Sequence, residues 1–431
     1  MTKFETAIEL LRTASLQGSK LGLERTKQLV SLLGDPYKKY RIIHVAGTNG
    51  KGSFAAMLSS VLSAQGYKVG TFSSPYMLTY NDCVRINGDI VDKELFGDAI
   101  IHAAEISEQM SEKPTEFELL TAAVFMLVAE QKCDYAVIEC GMGGDGDSTN
   151  VLTDPLLSVI TNVELDHQSF LGSTHSEIAS HKAGIIKQGR PVFFGGDNAE
   201  AMEIISEAAK CNGSKLYTAD MSKLHLINSD NILKNGITFS YGSTKISVPL
   251  RGSYQIKNIT NVVCCIDILR DLGVKISDKA VCEGLSSVRW EGRFEVLSTD
   301  PIVIFDGAHN PDGMKGLCDS IKLNLKGDKP AILTGVLADK DYKLYSEMLR
   351  PLVERAFTIT PDNPRALCAS DLAVCFNENG IRAEAFTSIE AGFNAAYDFC
   401  KQNRLPLLII GSLYLYKDIR PLVSRRMIND E

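Results

Sequence analysis

From about residue 41 onward, short apolar runs alternate with segments whose apolar positions recur with a helical period. Brief apolar runs bounded by turn-formers read as buried strands, and the longer periodic segments read as amphipathic helices. The strand candidates are "RIIHVAG", "KVGTFSS", "YAVIECG", "LLSVITNV" and "PVFFGG", with helical periods over Phe54 to Ala64 and Glu118 to Glu130. This alternation predicts an α/β fold: a mainly parallel sheet with helices on both faces. Between about Ser214 and Val248 the texture shifts to short strand-like pieces and Asn or Gly turns, which predicts an antiparallel excursion. A second alternating series opens with "PIVIFDGAHNP" and continues through "AILTGVLAD", "AFTITPD" and "PLLIIGSLYL". The boundary is expected near residue 297, giving a first domain over 1–296 and a smaller α/β domain over 297–431.

Composition narrows the function classes. With 45% hydrophobic and 23% charged residues, the chain can bury a large core and needs no membrane. A net charge of −8 argues against a nucleic-acid partner, because a phosphate backbone is held mainly by surplus Lys and Arg. The 11 cysteines form no C-x-x-C pair, and several sit in apolar runs, so reduced buried thiols are expected rather than disulfides or a zinc site. The opening "MTKFETAIELLRTA" reads as an amphipathic helix carrying acidic residues, unlike a secretory signal or transit peptide. No apolar run approaches the ~20 residues of a membrane helix, so a cytoplasmic protein is expected.

Chemistry concentrates first in "HVAGTNGKGS", His44 to Ser53. Glycines after a strand let the backbone turn tightly and aim N–H groups inward, and the following helix adds its positive end. The loop would cradle the phosphates of ATP, with Lys51 as a mobile charge and Ser53 reaching magnesium. The spacing departs from G-x-x-x-x-G-K-[ST]: two residues separate Gly47 from Gly50, and Gly52 follows Lys51. Gly66 suits a helix C-terminal cap.

Oxygen ligands for magnesium are expected at the ends of neighbouring strands, where open α/β sheets place their ligands. Glu139 ends "DYAVIEC", Ser74 stands in "SSP", and His167 lies in "TNVELDHQSFLG" beside Asp166. Lys182, in "HKAGIIK", reads from the pattern alone as a solvated lysine.

The runs "HVAGTNGKGS", "SSPYM", "IECGMGGDGDSTN", "ELDHQSFLG" and "HKAGIIKQG", in this order, resemble the Mur ligase superfamily and, within it, the folylpolyglutamate synthases. The N-terminal "LGLER" and the C-terminal "DGAHNPDG", "GVLADKDY" and "GSLYL" extend the resemblance over nearly the whole chain. It implies a P-loop NTPase-like central domain, a Rossmann-like C-terminal domain, and an enzyme that lengthens the glutamate tail of reduced folates with ATP, magnesium and L-glutamate. By the same likeness, Thr48, Asn49, Gly50, Lys51, Gly52 and Ser53 bind ATP phosphates, while Ser74, Glu139 and His167 hold magnesium. Lys182 carries a carbamate for a second ion, which reverses the solvated reading. Asn258, Arg293 and Asp306 match residues that meet ATP, and His309 shares the motif of Asp306. Lys51, His167, Lys182 and Arg293 would form the catalytic set. Phe117 and Glu118, in "PTEFELLTAA", resemble the pterin-side element, and Asp145 and Asp147 would line the acceptor side.

One departure bears on substrate choice. Many relatives that also make dihydrofolate from dihydropteroate carry G-G-R-x-D-[AS]-T-N, whereas Asp145 stands at the arginine here. Glutamate addition without dihydrofolate synthesis is therefore expected, with the bifunctional enzyme as the alternative. A cell-wall Mur ligase would need a nucleotide-sugar domain ahead of the loop, and only 46 residues precede Gly47. A regulatory nucleotide switch would not need the second "DGAHN" domain. A monomer is expected.

Overall fold

A computed structural model describes residues 1–18, 20, 22–228 and 232–430; Leu21, which opens "LGLER", lies outside them. The chain divides into two compact units, Met1–Leu224 with Lys257–Val288 and His225–Ile256 with Arg289–Glu431.

The first unit is built on an eight-stranded sheet. Its strands are β1 (Arg41–Ala46), β2 (Val69–Phe72), β3 (Val84–Ile86), β4 (Asp89–Ile90), β5 (Tyr135–Glu139), β6 (Leu157–Ile160), β7 (Val192–Phe194) and β8 (Leu216–Thr218). Their order is β4-β3-β2-β5-β1-β6-β7-β8; β3 and β4 run antiparallel at one edge and the rest are parallel. The strand β1, flanked by β5 and β6, stands at the centre of this order, and its register sets Val45 against both Glu139 and Val159. Helices supply the covering layers, because parallel strands buried on both faces cannot leave their apolar runs in water. One apolar cluster gathers around Phe96, Phe125 and Ile138, another around Ile160, Ile178 and Phe194.

The predicted strands are all present, and the two predicted helices extend slightly, to Lys51–Ala64 and Glu116–Glu130. Gly66 takes a positive φ of 100° just past the first of these, where its N–H bonds to Ser63 O. The short strands β3, β4 and β8 escaped the pattern, since at two or three residues each they lack the apolar run that marks the equally short β7. The stretch read as an antiparallel excursion from Ser214 begins instead with β8, which pairs in parallel with β7.

The second unit contains that excursion as a three-stranded antiparallel sheet of β9 (His225–Asn228), β10 (Ile237–Tyr241) and β11 (Thr244–Val248). Its six-stranded sheet comprises β12 (Glu295–Thr299), β13 (Ile302–Phe305), β14 (Ala331–Thr334), β15 (Arg355–Thr358), β16 (Ala383–Ala385) and β17 (Leu407–Ile410). The order is β12-β13-β17-β14-β15-β16, parallel except for the β12–β13 hairpin. A division at 296/297 falls inside β12, because the run "EVLST" turns back through Asp300 and Pro301 to pair with β13. The core centres on Leu317, Ile332, Tyr345 and Leu408. None of the eleven cysteines forms a disulfide, and no helix among the described residues is long and apolar enough to cross a membrane.

Candidate active site

The apolar strand β1 ends at Ala46, and the helix Lys51–Ala64 starts five residues later. The turn between them depends on glycine at two positions. Gly47 has φ 149°, and a Cβ there would lie 1.9 Å from Thr161 Oγ1; Gly50 has φ 83°, and its Cβ would lie 2.4 Å from Asn258 Oδ1. Left-handed backbone and absent side chains leave a cradle of bare main chain. Residues after β6 hold it in place. Asn162 Oδ1 accepts from the N–H groups of Thr48 (3.2 Å) and Asn49 (2.8 Å), while the Thr161 hydroxyl donates to Asn49 O at 2.7 Å. The Thr48 hydroxyl donates to Glu164 O at 3.0 Å. The loop's N–H groups are thus not all turned inward as its glycine content suggests: those of Thr48 and Asn49 go to Asn162.

Lys51 opens the helix with its ammonium folded back on the loop, 2.9 Å from Gly47 O and 3.1 Å from Thr48 O. Its third neighbour is Glu139 Oε1, 3.9 Å away at the end of β5. Glu139 and Ser53 are both buried, and Gly52 stands with Ser53 in the first helical turn. A carboxylate so deep requires a cation beside it. Ser74 follows β2, and the strand ends of β2, β5, β1 and β6 share one sheet edge. His167 is exposed, with φ 50°, at the start of the short helix Gln168–Leu171, and its N–H donates to Asp166 Oδ1 at 2.8 Å. Among the described residues no group of three or more His, Cys, Asp or Glu is gathered for a metal ion.

Lys182 is not the solvated lysine of the sequence pattern. It is 2% exposed in the last turn of the helix His175–Ala183, and burial, seconded by the charge of Lys51, lowers its pKa to about 7. The glycine turn after β5 packs directly on it: a Cβ at Gly144 would lie 2.5 Å from His181 O and 3.0 Å from Lys182 Cα.

Two residues placed on the acceptor side by resemblance are used within the protein. Glu118 is buried and accepts from Arg25, Nε to Oε2 at 3.0 Å and Nη2 to Oε1 at 2.8 Å, and from the Thr115 N–H at 2.8 Å. Asp147 is buried and accepts from the Thr149 hydroxyl (2.5 Å), the Thr149 N–H (3.0 Å) and the Met142 N–H (2.8 Å). Both carboxylates hold turns together. Phe117 is partly exposed, stacked on Phe72 at 5.9 Å, with its ring so near Gly141 that a Cβ there would meet it at 2.5 Å. Asp145 is half-exposed and lies against His181.

In the second unit, Arg293 lies between Gly292 (φ 71°) and Phe294 (φ 46°). A buried phenylalanine in the left-handed region costs on the order of 1–3 kcal/mol and persists only where its surroundings impose it. Asp306 supplies part of that constraint. It is buried, which pushes its carboxyl pKa up, and it accepts from the Phe294 N–H (2.9 Å), the Ala308 N–H (2.8 Å) and the Tyr254 hydroxyl (2.6 Å). His309 Nδ1 is 2.7 Å from Gly307 O, and the Tyr345 hydroxyl donates to His309 O at 2.7 Å. The sequence reading missed Asn162, Thr161 and Tyr254. Asn162 and Thr161 stand in the same "ITNVELDH" run as the ligand candidate His167, and Tyr254 immediately precedes the "QIKN" that holds Asn258.

The profile of the Mur ligase middle domain matches residues 45–266, and that of the Mur ligase glutamate ligase domain matches residues 292–413. The chain is 36% identical over 417 residues to the dihydrofolate synthase/folylpolyglutamate synthase of Bacillus subtilis, covering 94% of this chain and 95% of that protein. It is 33% identical over 414 residues to the folylpolyglutamate synthase of Lacticaseibacillus casei, covering 92% and 93%. Among solved structures it is similar to the bifunctional folylpolyglutamate synthase/dihydrofolate synthase of Yersinia pestis complexed with AMPPNP and Mn ion. That likeness has a TM-score of 0.83 and 27% identity, and it covers 98% of each chain.

Proposed function

Since this chain belongs to the Mur ligase family, and within it to the folylpolyglutamate and dihydrofolate synthases, we propose that it joins L-glutamate to the glutamate tail of a reduced folate, using ATP. The observation that carries this reading is the bare-backbone cradle of Gly47 to Ser53, with Lys51 folded onto two of its carbonyls and 3.9 Å from buried Glu139. A phosphate arriving there gives the ammonium a better partner than two neutral carbonyls.

The reaction follows from the groups available. The terminal carboxylate of the folate attacks the γ-phosphate of ATP, giving an acyl phosphate and ADP. The amine of glutamate attacks the acyl carbon, and the tetrahedral intermediate collapses by expelling phosphate and a proton. Phosphoryl transfer needs charge neutralisation more than covalent help. Lys51 supplies a cation at the loop, and Arg293 is assigned to the nucleotide phosphates; Asn258 and Asp306 are assigned to ATP more broadly, and His309 shares the motif of Asp306. The phosphate loop keeps the nucleotide in register through main-chain N–H groups and the positive end of the helix Lys51–Ala64.

The donor set fits magnesium: Ser53 and Glu139 offer hard oxygens beside the loop, and Ser74 and His167 lie at the same sheet edge. A divalent cation held there withdraws charge from the transferring phosphate. Lys182 is assigned as a carbamate serving a second ion. Its neutral amine, favoured by burial, adds to carbon dioxide with loss of one proton and becomes an anionic oxygen ligand.

A two-acceptor assay tests the reading. Enzyme, ATP, magnesium and L-glutamate are incubated with glutamylated tetrahydrofolate or with dihydropteroate, and products are weighed by mass spectrometry. Folate lengthened by one glutamyl residue is expected, with ADP in equal amount; no lengthened folate would overturn it. A second reading, in which dihydropteroate is also an acceptor, is favoured by the name of the Bacillus subtilis relative, and the same assay decides it.

A further inference from the structure

The backbone that carries Arg293 is held on both sides by carboxylates, and each carboxylate is braced by a tyrosine. On one side the Gly292 N–H donates to Glu295 Oε2 at 2.8 Å, and the Tyr416 hydroxyl donates to Glu295 Oε1 at 3.2 Å. On the other the Phe294 N–H donates to Asp306 Oδ2 at 2.9 Å, and the Tyr254 hydroxyl donates to the same oxygen at 2.6 Å. Between these clamps Gly292 and Phe294 both have left-handed φ, so the segment has no intrinsic preference for the shape it takes.

The guanidinium is confined as well. Arg293 Nη1 donates to Gly292 O at 3.1 Å, an oxygen that also accepts from the Gly307 N–H at 3.0 Å. A Cβ at Gly307 would lie 2.7 Å from Arg293 Nη1 and 2.1 Å from Leu413, so the side chain passes over bare backbone.

Both tyrosines reach this segment from distant parts of the sequence and are themselves fixed. Tyr254 follows Ser253, whose N–H donates to Ser320 Oγ at 2.9 Å, and its ring lies against Gly316 of the helix Pro311–Leu325. Tyr416 opens the C-terminal helix Tyr416–Asp430, buried, with its ring edge-on to Phe305 at 5.0 Å.

We propose that Tyr254 and Tyr416 are positioning residues for the ligation reaction: through Asp306 and Glu295 they fix the backbone of residues 292 to 295, and with it the direction in which Arg293 is presented. The inference rests on the assignment of Arg293 to the nucleotide phosphates. Neither tyrosine touches a reacting atom; each acts through a carboxylate on the peptide groups that flank the arginine.

The test is a double-mutant cycle on the full chain. Tyr254→Phe and Tyr416→Phe remove one hydroxyl each and keep the ring packing, and circular dichroism checks the fold. Each is made alone and together with Arg293→Ala, and both kcat and the Kd of AMPPNP are measured. Each single tyrosine change is expected to lower kcat or weaken AMPPNP by about tenfold, and the same change in the Arg293→Ala background to alter AMPPNP affinity by less than about twofold. Equal effects in both backgrounds, or wild-type kcat and Kd in both tyrosine variants beside an impaired Arg293→Ala, would overturn the inference alone. Wild-type kcat and Kd in Arg293→Ala would overturn the assignment of the arginine, and the inference with it.

Discussion

The carboxylate of Asp145 lies against the ring of His181, with Nδ1 2.9 Å and 3.0 Å from its two oxygens, one residue before buried Lys182. The main chain repeats the contact: the Asp145 N–H donates to His181 O at 2.8 Å, and a Cβ at Gly184 would lie 2.4 Å from Asp145 Cβ. Asp145, where the resemblance leads to the expectation of arginine in enzymes that also make dihydrofolate, therefore clasps the glycine turn to the helix His175–Ala183.

An anion at position 145 offers no attraction to an acceptor carboxylate, and like charges in a partly desolvated site repel. Asp145→Arg is expected to raise the ratio of dihydropteroate to tetrahydrofolate kcat/KM by about tenfold, equivalent to about 1.4 kcal/mol. Steady-state kinetics on both acceptors check this. An unchanged ratio would mean that position 145 does not set acceptor choice.

Lys51→Ala should keep the overall fold at a cost in stability: among the described residues the ammonium bonds to carbonyls of its own loop, but it also stands 3.9 Å from buried Glu139, which loses its neighbouring cation. Its loss should lower kcat by at least about a hundredfold, the scale seen when a preorganised charge-stabilising donor is removed. Near-normal turnover at saturating ATP, with an unchanged circular dichroism spectrum, would rule out the phosphate-loop assignment.

Lys182 should take up carbon dioxide in a pH-dependent way. Burial and the Lys51 charge lower its pKa from 10.5 to about 7, so the reactive neutral amine gains population as pH rises through about 7. With labelled bicarbonate, the carbamate carbon signal should grow over that range and be absent in Lys182→Ala. Lys51→Ala, which removes the second cause of the shift, should move the rise to higher pH. A signal that is independent of Lys182 would refute the carbamate.

What the sequence made legible here is backbone chemistry, and what it concealed is side-chain direction. Gly47 and Gly50 announce a turn that no other residue could make, and both occupy left-handed backbone against a neighbour. Glu139 was legible as well, since an acid ending an apolar strand has few places to go. Glu118 and Asp147 were not. Each belongs to a motif of the right kind, but Arg25 and Thr149 decide where its carboxylate turns, and no local pattern encodes those partners. Lys182 was misread from pattern for the same reason: its burial comes from a glycine turn some forty residues earlier. Asn162 and Tyr254, uncharged and outside any ligand pattern, carried no signal at all.

The last prediction concerns His44, fully buried in β1 just before the phosphate loop. Its Nε2 is 2.9 Å from Thr149 Oγ1, whose own proton goes to Asp147 Oδ1 at 2.5 Å, and Cys140 Sγ lies 3.1 Å from the same nitrogen. Thr149 therefore accepts, which fixes the proton of the neutral ring on Nε2. Nδ1 has no hydrogen-bond partner among the described residues, so a second proton there would be buried without an acceptor. Burial first, and Lys187 second, lower the pKa of His44 from 6.5 to about 3. Between those values the unfolded chain holds a proton that the folded one lacks, so stability is complete above about pH 6.5 and falls as pH drops toward 3. Each pH unit in that window is worth about 1.4 kcal/mol. His44→Gln, which keeps a donor for Thr149 and cannot titrate, should remove this dependence. Urea unfolding of the unit that carries His44, followed at pH 6.5 and pH 4.5, is expected to show wild type losing about 2 to 3 kcal/mol more than the variant. Equal losses in the two proteins would mean that His44 takes up its proton in the folded state, and that its ring is not held neutral within the Cys140–His44–Thr149–Asp147 chain.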